Sequence, residues 1–97
     1  MIYNVSYDLN TPGQKYDELH KLIVKVSNNN WCRILKSTYV IKSDKTSEEL
    51  LTEFNNVLDK NDYIFISEVN SNYTGFLNRD SFIELKKLIP SAIIGHE

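Results

Sequence analysis

The amino-acid sequence predicts one α+β domain. Three observations carry that prediction: period-two alternation at the start of the chain, helical spacing of apolar residues in three later segments, and β-branched or aromatic runs between them. The 97 residues are enough for a single modest core. A hydrophobic content of 41% with 25% charged residues is that of a globular chain and excludes a disordered one. No apolar run approaches the roughly 20 residues that span a bilayer, so no membrane association is expected. With no basic region followed by an apolar block at the start, cytoplasmic residence is the expectation. Cys32, the single cysteine, has no disulfide partner and no metal-site spacing, and reads as a small buried side chain.

Residues 2–9 form the first predicted strand. Tyr3, Val5, Tyr7 and Leu9 share one face; Asn4, Ser6 and Asp8 share the other. Thr11 as N-cap with Pro12 in the first turn is one possible helix start, Gln14 or Lys15 another. Tyr16, Leu19, Ile23 and Val26 then recur at helical spacing, and Asn28-Asn29-Asn30 ends the helix with residues that tolerate left-handed backbone. His20 borders the apolar stripe and reads as core-edge packing.

Residues 31–35 and 37–43 read as two strands joined at Lys36-Ser37 by a tight turn or a bulge. In the second, Tyr39 and Ile41 oppose Thr38, Val40 and Lys42, with the covered face undecided. Thr46-Ser47-Glu48-Glu49 is a capping box, and Leu50, Leu51, Phe54, Val57 and Leu58 are the expected buried stripe of the helix it opens. Residues 63–69 are a strand whose near-continuous apolar run suggests cover on both faces for part of its length. A polar loop follows at 70–75. Residues 79–88 read as a last helix with Phe82, Leu85 and Leu88 or Ile89 inward, a Ser81/Glu84 cap, and Pro90 as its stop. In the tail, Ile93 and Ile94 are exposed unless they dock.

The order strand, helix, strand, strand, helix, strand, helix is the ferredoxin-like βαββαβ pattern with a C-terminal addition: a core over about residues 1–70 and an extra helix at about 79–89. Two helices would cover one face of an antiparallel sheet and leave the other open. That open face, carrying Asn4, Ser6 and Asp8 and apolar residues such as Ile2, Ile64 and Ile66, is expected to pair with a second copy.

Charge is unevenly placed within the net −2: residues 1–45 carry seven bases and four acids, residues 46–97 four bases and nine acids. The overall balance argues against a general nucleic-acid coating protein. The basic half is either a phosphate-facing surface or an ordinary solvated face. Asp8 is the candidate for chemistry, and its alternative is a turn former that accepts backbone amides. Ser6, Ser37 and Thr38 either assist near Asp8 or satisfy the polar sheet face; Trp31, Tyr39, Tyr73 and Phe76 either stack bases or fill the core.

The run Tyr7-Asp8-Leu9-Asn10-Thr11-Pro12-Gly13-Gln14-Lys15-Tyr16, followed by Trp31 with Leu35, Ser37, Thr38, Val40 and Ile41, resembles the small ferredoxin-fold CRISPR-associated proteins of spacer acquisition, here called Cas-two. The likeness is closer to their stand-alone SinR-like relatives. It spans most of residues 1–70, and folding in general does not ask for Pro-Gly-Gln within it.

The resemblance implies a homodimer whose sheets bring two copies of Asp8 together around Mg2+ or Mn2+, with possible endonuclease action on RNA or DNA. It places candidate nucleic-acid contacts at Ser6, Arg33, Lys36, Ser37 and Thr38. Gln14, Lys15 and Tyr16 stand where Cas-two proteins tend to carry arginines. The alternative is a non-catalytic dimeric scaffold or interaction protein linked to phage defence or mobile elements.

Overall fold

The structure, a computed structural model, describes residues 1–10 and 13–97, without the side chain of Gln14. The chain folds as an α+β unit. Its main sheet has four antiparallel strands in the order β2-β3-β1-β4: β1 (Ile2–Asp8), β2 (Trp31–Leu35), β3 (Thr38–Lys42) and β4 (Tyr63–Glu68). Three helices pack on it among the described residues: α1 (Gln14–Val26), α2 (Ser47–Phe54) and α3 (Arg79–Leu88).

The alternation in β1 places Tyr3, Val5 and Tyr7 in the core, as expected. They meet Tyr39 and Ile41 of β3, Leu19, Ile23 and Val26 of α1, and Leu50 and Phe54 of α2. Each fully buried aliphatic or Phe side chain in that layer contributes about 1.5–3 kcal/mol. The helix start proposed at Thr11 and Pro12 lies outside the described residues. The helix itself begins at Gln14, behind Gly13 at φ +87°. That backbone conformation is strained for any residue with a Cβ, so the glycine of the Pro-Gly-Gln run has a folding reason after all. Asn28 and Asn29, at φ +49° and +67°, end the helix in the left-handed region, as the asparagine tract predicts.

The α2 capping box is present, with Thr46 Oγ1 accepting from the Glu49 amide and the Glu49 carboxylate accepting from the Thr46 amide. Thr46→Ala is expected to cost about 1 kcal/mol, measured as a shift in denaturation midpoint at unchanged slope. The expected stripe needs correction. The helix ends at Phe54, Leu51 is exposed, and from the turn beyond Leu58 packs partly on the core while Val57 is only half-buried.

The larger correction concerns the second sheet face. It is not open throughout: α3 covers its β2–β3 half, forming a second core in which Leu85, Leu88, Ile89 and Ala92 pack on Cys32 and Val40, with Ile2 and Ile34 at the margin. The two faces of β3 are therefore both covered, which alternation alone left undecided. Ile64 and Ile66, expected on the open face, pack against the α1/α2 layer instead. The cap of α3 is Asn78, whose side chain accepts from the Ser81 amide, in place of the expected Ser81/Glu84 pair. A short parallel ladder between β5 (Phe76–Leu77) and β6 (Gly95–His96) ties down the tail, and the His96 ring stacks on Phe82 at 3.9 Å. Ile94 docks, while Ile93 stays 86% exposed. No helix among the described residues is long and apolar enough to cross a membrane.

Candidate functional site

What α3 leaves uncovered is the end of the sheet where β1 finishes and β4 starts. Cross-strand register brings its residues together: Ser6 lies between Thr38 and Phe65, and Asp8 opposite Tyr63. The Ser6 and Thr38 hydroxyls are 3.3 Å apart. With Ser37 in the β2–β3 turn, these residues line a depression of about 360 Å3. Tyr63 and Phe65 are 67% and 68% exposed, so the first half of β4 is covered on one face only. An alternating strand with aliphatic residues on one side and aromatics on the other reads as a continuous apolar run, and composition hides the difference.

Asp8 is exposed, and no hydrogen-bond donor among the described residues reaches its carboxylate. Of the amides that follow it, that of Asn10 is taken by Asp62. That carboxylate accepts from the Asn10 amide at 2.7 Å and the Asp59 amide at 2.8 Å, and meets Lys15 Nζ at 3.3 Å. Lys15 also reaches Asp59 at 2.6 Å. The Asp62 side chain is 1% exposed, and the Asp59 amide first, then the Asn10 amide and Lys15, hold its carboxyl below the usual range. Asp62 thus joins the loop after β1 to the turn before β4, and fixes the ends from which Asp8 and Tyr63 project. The sequence signal was there in Asp59-Lys60-Asn61-Asp62, a turn whose last carboxylate can close on its first amide. Its bond to Asn10, 52 residues away, was invisible.

The other candidate contacts divide. Ser6, Ser37 and Thr38 surround the depression with Asp8. Arg33 does not: it pairs with Tyr39 on the α1 side of the sheet, and its Nε and Nη2 donate to the Lys36 carbonyl at 3.1 and 2.5 Å. Lys36 occupies the intervening turn. A register shift between Arg33 and Leu35 lets Ile34 and Leu35 both escape the α1 side, and leaves Leu35 exposed. His20 packs at the core edge as expected, with Nδ1 2.8 Å from the Tyr39 hydroxyl. Burial pushes the Tyr7 hydroxyl up to about 12, with Tyr39 adding to the effect and Arg33 opposing it.

A cation has little to hold it on one chain. Among the described residues, no three His, Cys, Asp or Glu side chains converge. Asp8 and the neighbouring hydroxyls are hard oxygen donors of the kind Mg2+ and Mn2+ prefer, but as a single carboxylate they fit such an ion only when a second carboxylate is supplied from outside. No family model matches the chain, and no curated protein matches it.

Proposed function

We propose that the chain is a ferredoxin-like subunit of a homodimer that acts on RNA or DNA, each copy giving Asp8 as half of a divalent-cation site. The sheet order β2-β3-β1-β4, with β3 inserted between β1 and β2, supports the ferredoxin-like reading. The observation that carries the functional reading is Asp8 itself: an exposed carboxylate at the end of a central strand, reached by no hydrogen-bond donor among the described residues, between the exposed rings of Tyr63 and Phe65 and the Ser6–Thr38 hydroxyls. Facing copies would bury those rings and set two carboxylates near each other, which raises their affinity for a cation. When bound, the ion would supply an acidified water and a Lewis acid for phosphodiester hydrolysis. The chain's own part is to position the carboxylate through Asp62 and to offer the Ser6 and Thr38 hydroxyls to phosphate oxygens.

Asp8→Asn tests this. The expected result is loss of magnesium-dependent cleavage of single-stranded RNA or duplex DNA by about a hundredfold or more, with dimer mass and melting temperature retained. Equal residual cleavage by both proteins, or a lower melting temperature with no activity in either, would count against it. One observation favours the second reading, a non-catalytic dimeric scaffold: no lysine, arginine or histidine is among the described residues lining the depression, so no cationic side chain stands ready for the charge of a transition state. A native dimer that never cleaves but retains nucleic acid or a protein partner is the result that reading expects.

A further inference from the structure

The opposite face of the sheet holds a hollow that the Asp8 site does not use. It measures about 520 Å3, within the range of small-ligand sites. Tyr16, Asp17 and His20 line it from one side of α1, and Trp31, Arg33 and Tyr39 from the β2–β3 ladder.

The rings form a connected wall. Trp31 lies 5.8 Å from Tyr39 and 4.7 Å from His20, which meets it edge-on at 90°, and Tyr16 meets Tyr7 at 6.1 Å. Tyr7 and Tyr39 are committed to the core; Tyr16 and Trp31 are only half-buried and keep ring surface at the mouth. The polar groups around this wall are incompletely used. His20 spends Nδ1 on the Tyr39 hydroxyl, and Nε2 has no partner among the described residues. Arg33 spends Nε and Nη2 on one carbonyl and makes no ion pair among the described residues, and Asp17 likewise makes none. A cation and an anion thus line one cavity without meeting each other. Arg33 lowers the pKa of both the Tyr7 and Tyr39 hydroxyls against the effect of burial, so its charge is felt inside the hollow.

We propose that this hollow binds a mononucleotide, with the base against Trp31 and Tyr16 and the phosphate at Arg33. Flat apolar rings take a base through its π-face. A guanidinium is the side chain suited to phosphate, because its planar donors match the oxygens. The Asp17 carboxylate, at the same mouth, accepts from ribose hydroxyls or an exocyclic amine, and it disfavours an anion that lacks such donors. The proposal stands apart from the Asp8 reading: a different sheet face carries it, and neither needs the other.

Trp31 is the only tryptophan in the chain, so its emission reports on this site directly. Native protein titrated with adenosine monophosphate should show a saturable change in the submillimolar range. Adenosine and inorganic phosphate, titrated alone, should each bind at least about tenfold more weakly. Arg33→Gln removes the charge at an exposed position and should remove most of the advantage of the nucleotide over adenosine; Arg33→Lys, which keeps the charge and loses the fork, should fall between. Calorimetry on the same proteins separates binding from optical effects, and thermal melting checks that each variant is folded. Absence of saturation at tens of millimolar nucleotide overturns the proposal, as does equal affinity for nucleotide and adenosine. Should Arg33→Gln not fold, unchanged nucleotide affinity in Arg33→Lys would overturn the assignment of the phosphate to the fork.

Discussion

In the proposed dimer, Phe65→Glu is expected to leave monomers, with at least about a thirtyfold loss in association. The native ring is 68% exposed on an isolated chain, opposite Ser6 and two strand positions from the Asp8–Tyr63 pair. A large exposed aromatic beside another, at the uncovered end of a sheet, is the residue type that most often anchors an interface. A glutamate there would have to be desolvated on assembly and would add two charges to those of the paired Asp8 carboxylates, so repulsion and lost burial act together. Light scattering should then give the mass of one chain, 11.3 kDa, at concentrations where the native protein gives twice that value. Melting of the variant monomer should be near that of a native monomer, because no core contact is removed, and magnesium-dependent cleavage should fall with the dimer. A native protein that is monomeric at high micromolar concentration would defeat the proposal before any mutant is made.

Asp62→Ala is expected to lower the melting temperature by several degrees at neutral pH, and by progressively less in acid. The substitution leaves the amides of Asn10 and Asp59 without their acceptor and removes one of the two ion partners of Lys15. Because the folded state holds this carboxyl below its ordinary value of 3.8, its stabilisation is complete at pH values well above that figure and is lost as pH falls through the lower folded value. Melting curves of the two proteins should therefore be furthest apart near neutrality and converge as pH falls below 3.8 and through the lower folded value. A constant gap across the titration would mean that the contribution is packing and not charge. Because Asp62 sets the ends of β1 and β4, the variant should also weaken whatever binds at Asp8, even at temperatures where it is fully folded.

Several elements were legible from residue order because local chemistry dictates them. The inward row Tyr3, Val5, Tyr7, the Thr46–Glu49 box, the asparagine stop of α1 and the bounds of α3 each rest on residues close in sequence. Misreadings fall where the deciding partner is remote. Val57 matches a helical stripe, yet α2 ends at Phe54 before reaching it, and Leu51, inside the helix, is turned away from the face that buries Leu50 and Phe54. Whether Ile64 or Phe65 faces inward depends on the register with Val5 and Ser6, more than fifty residues away. The second core was missed because helix periodicity identifies the apolar face of α3 without saying which surface it will find. At the candidate site, Asp8 was visible as a carboxylate ending a strand; the claim of Asp62 on the Asn10 amide was not, since the two residues are far apart in sequence.

The second core also determines what becomes of the only sulfhydryl. Cys32 is sealed between β2 and α3, and burial, reinforced by Glu84, pushes its thiol up to about 11. Thiolate is the reactive form, so the folded protein resists mixed disulfides and alkylation alike. Any labelling of this cysteine under native conditions would then be a clock for the lifting of the C-terminal layer, ticking at the rate at which that layer detaches while the α1/α2 side stays intact.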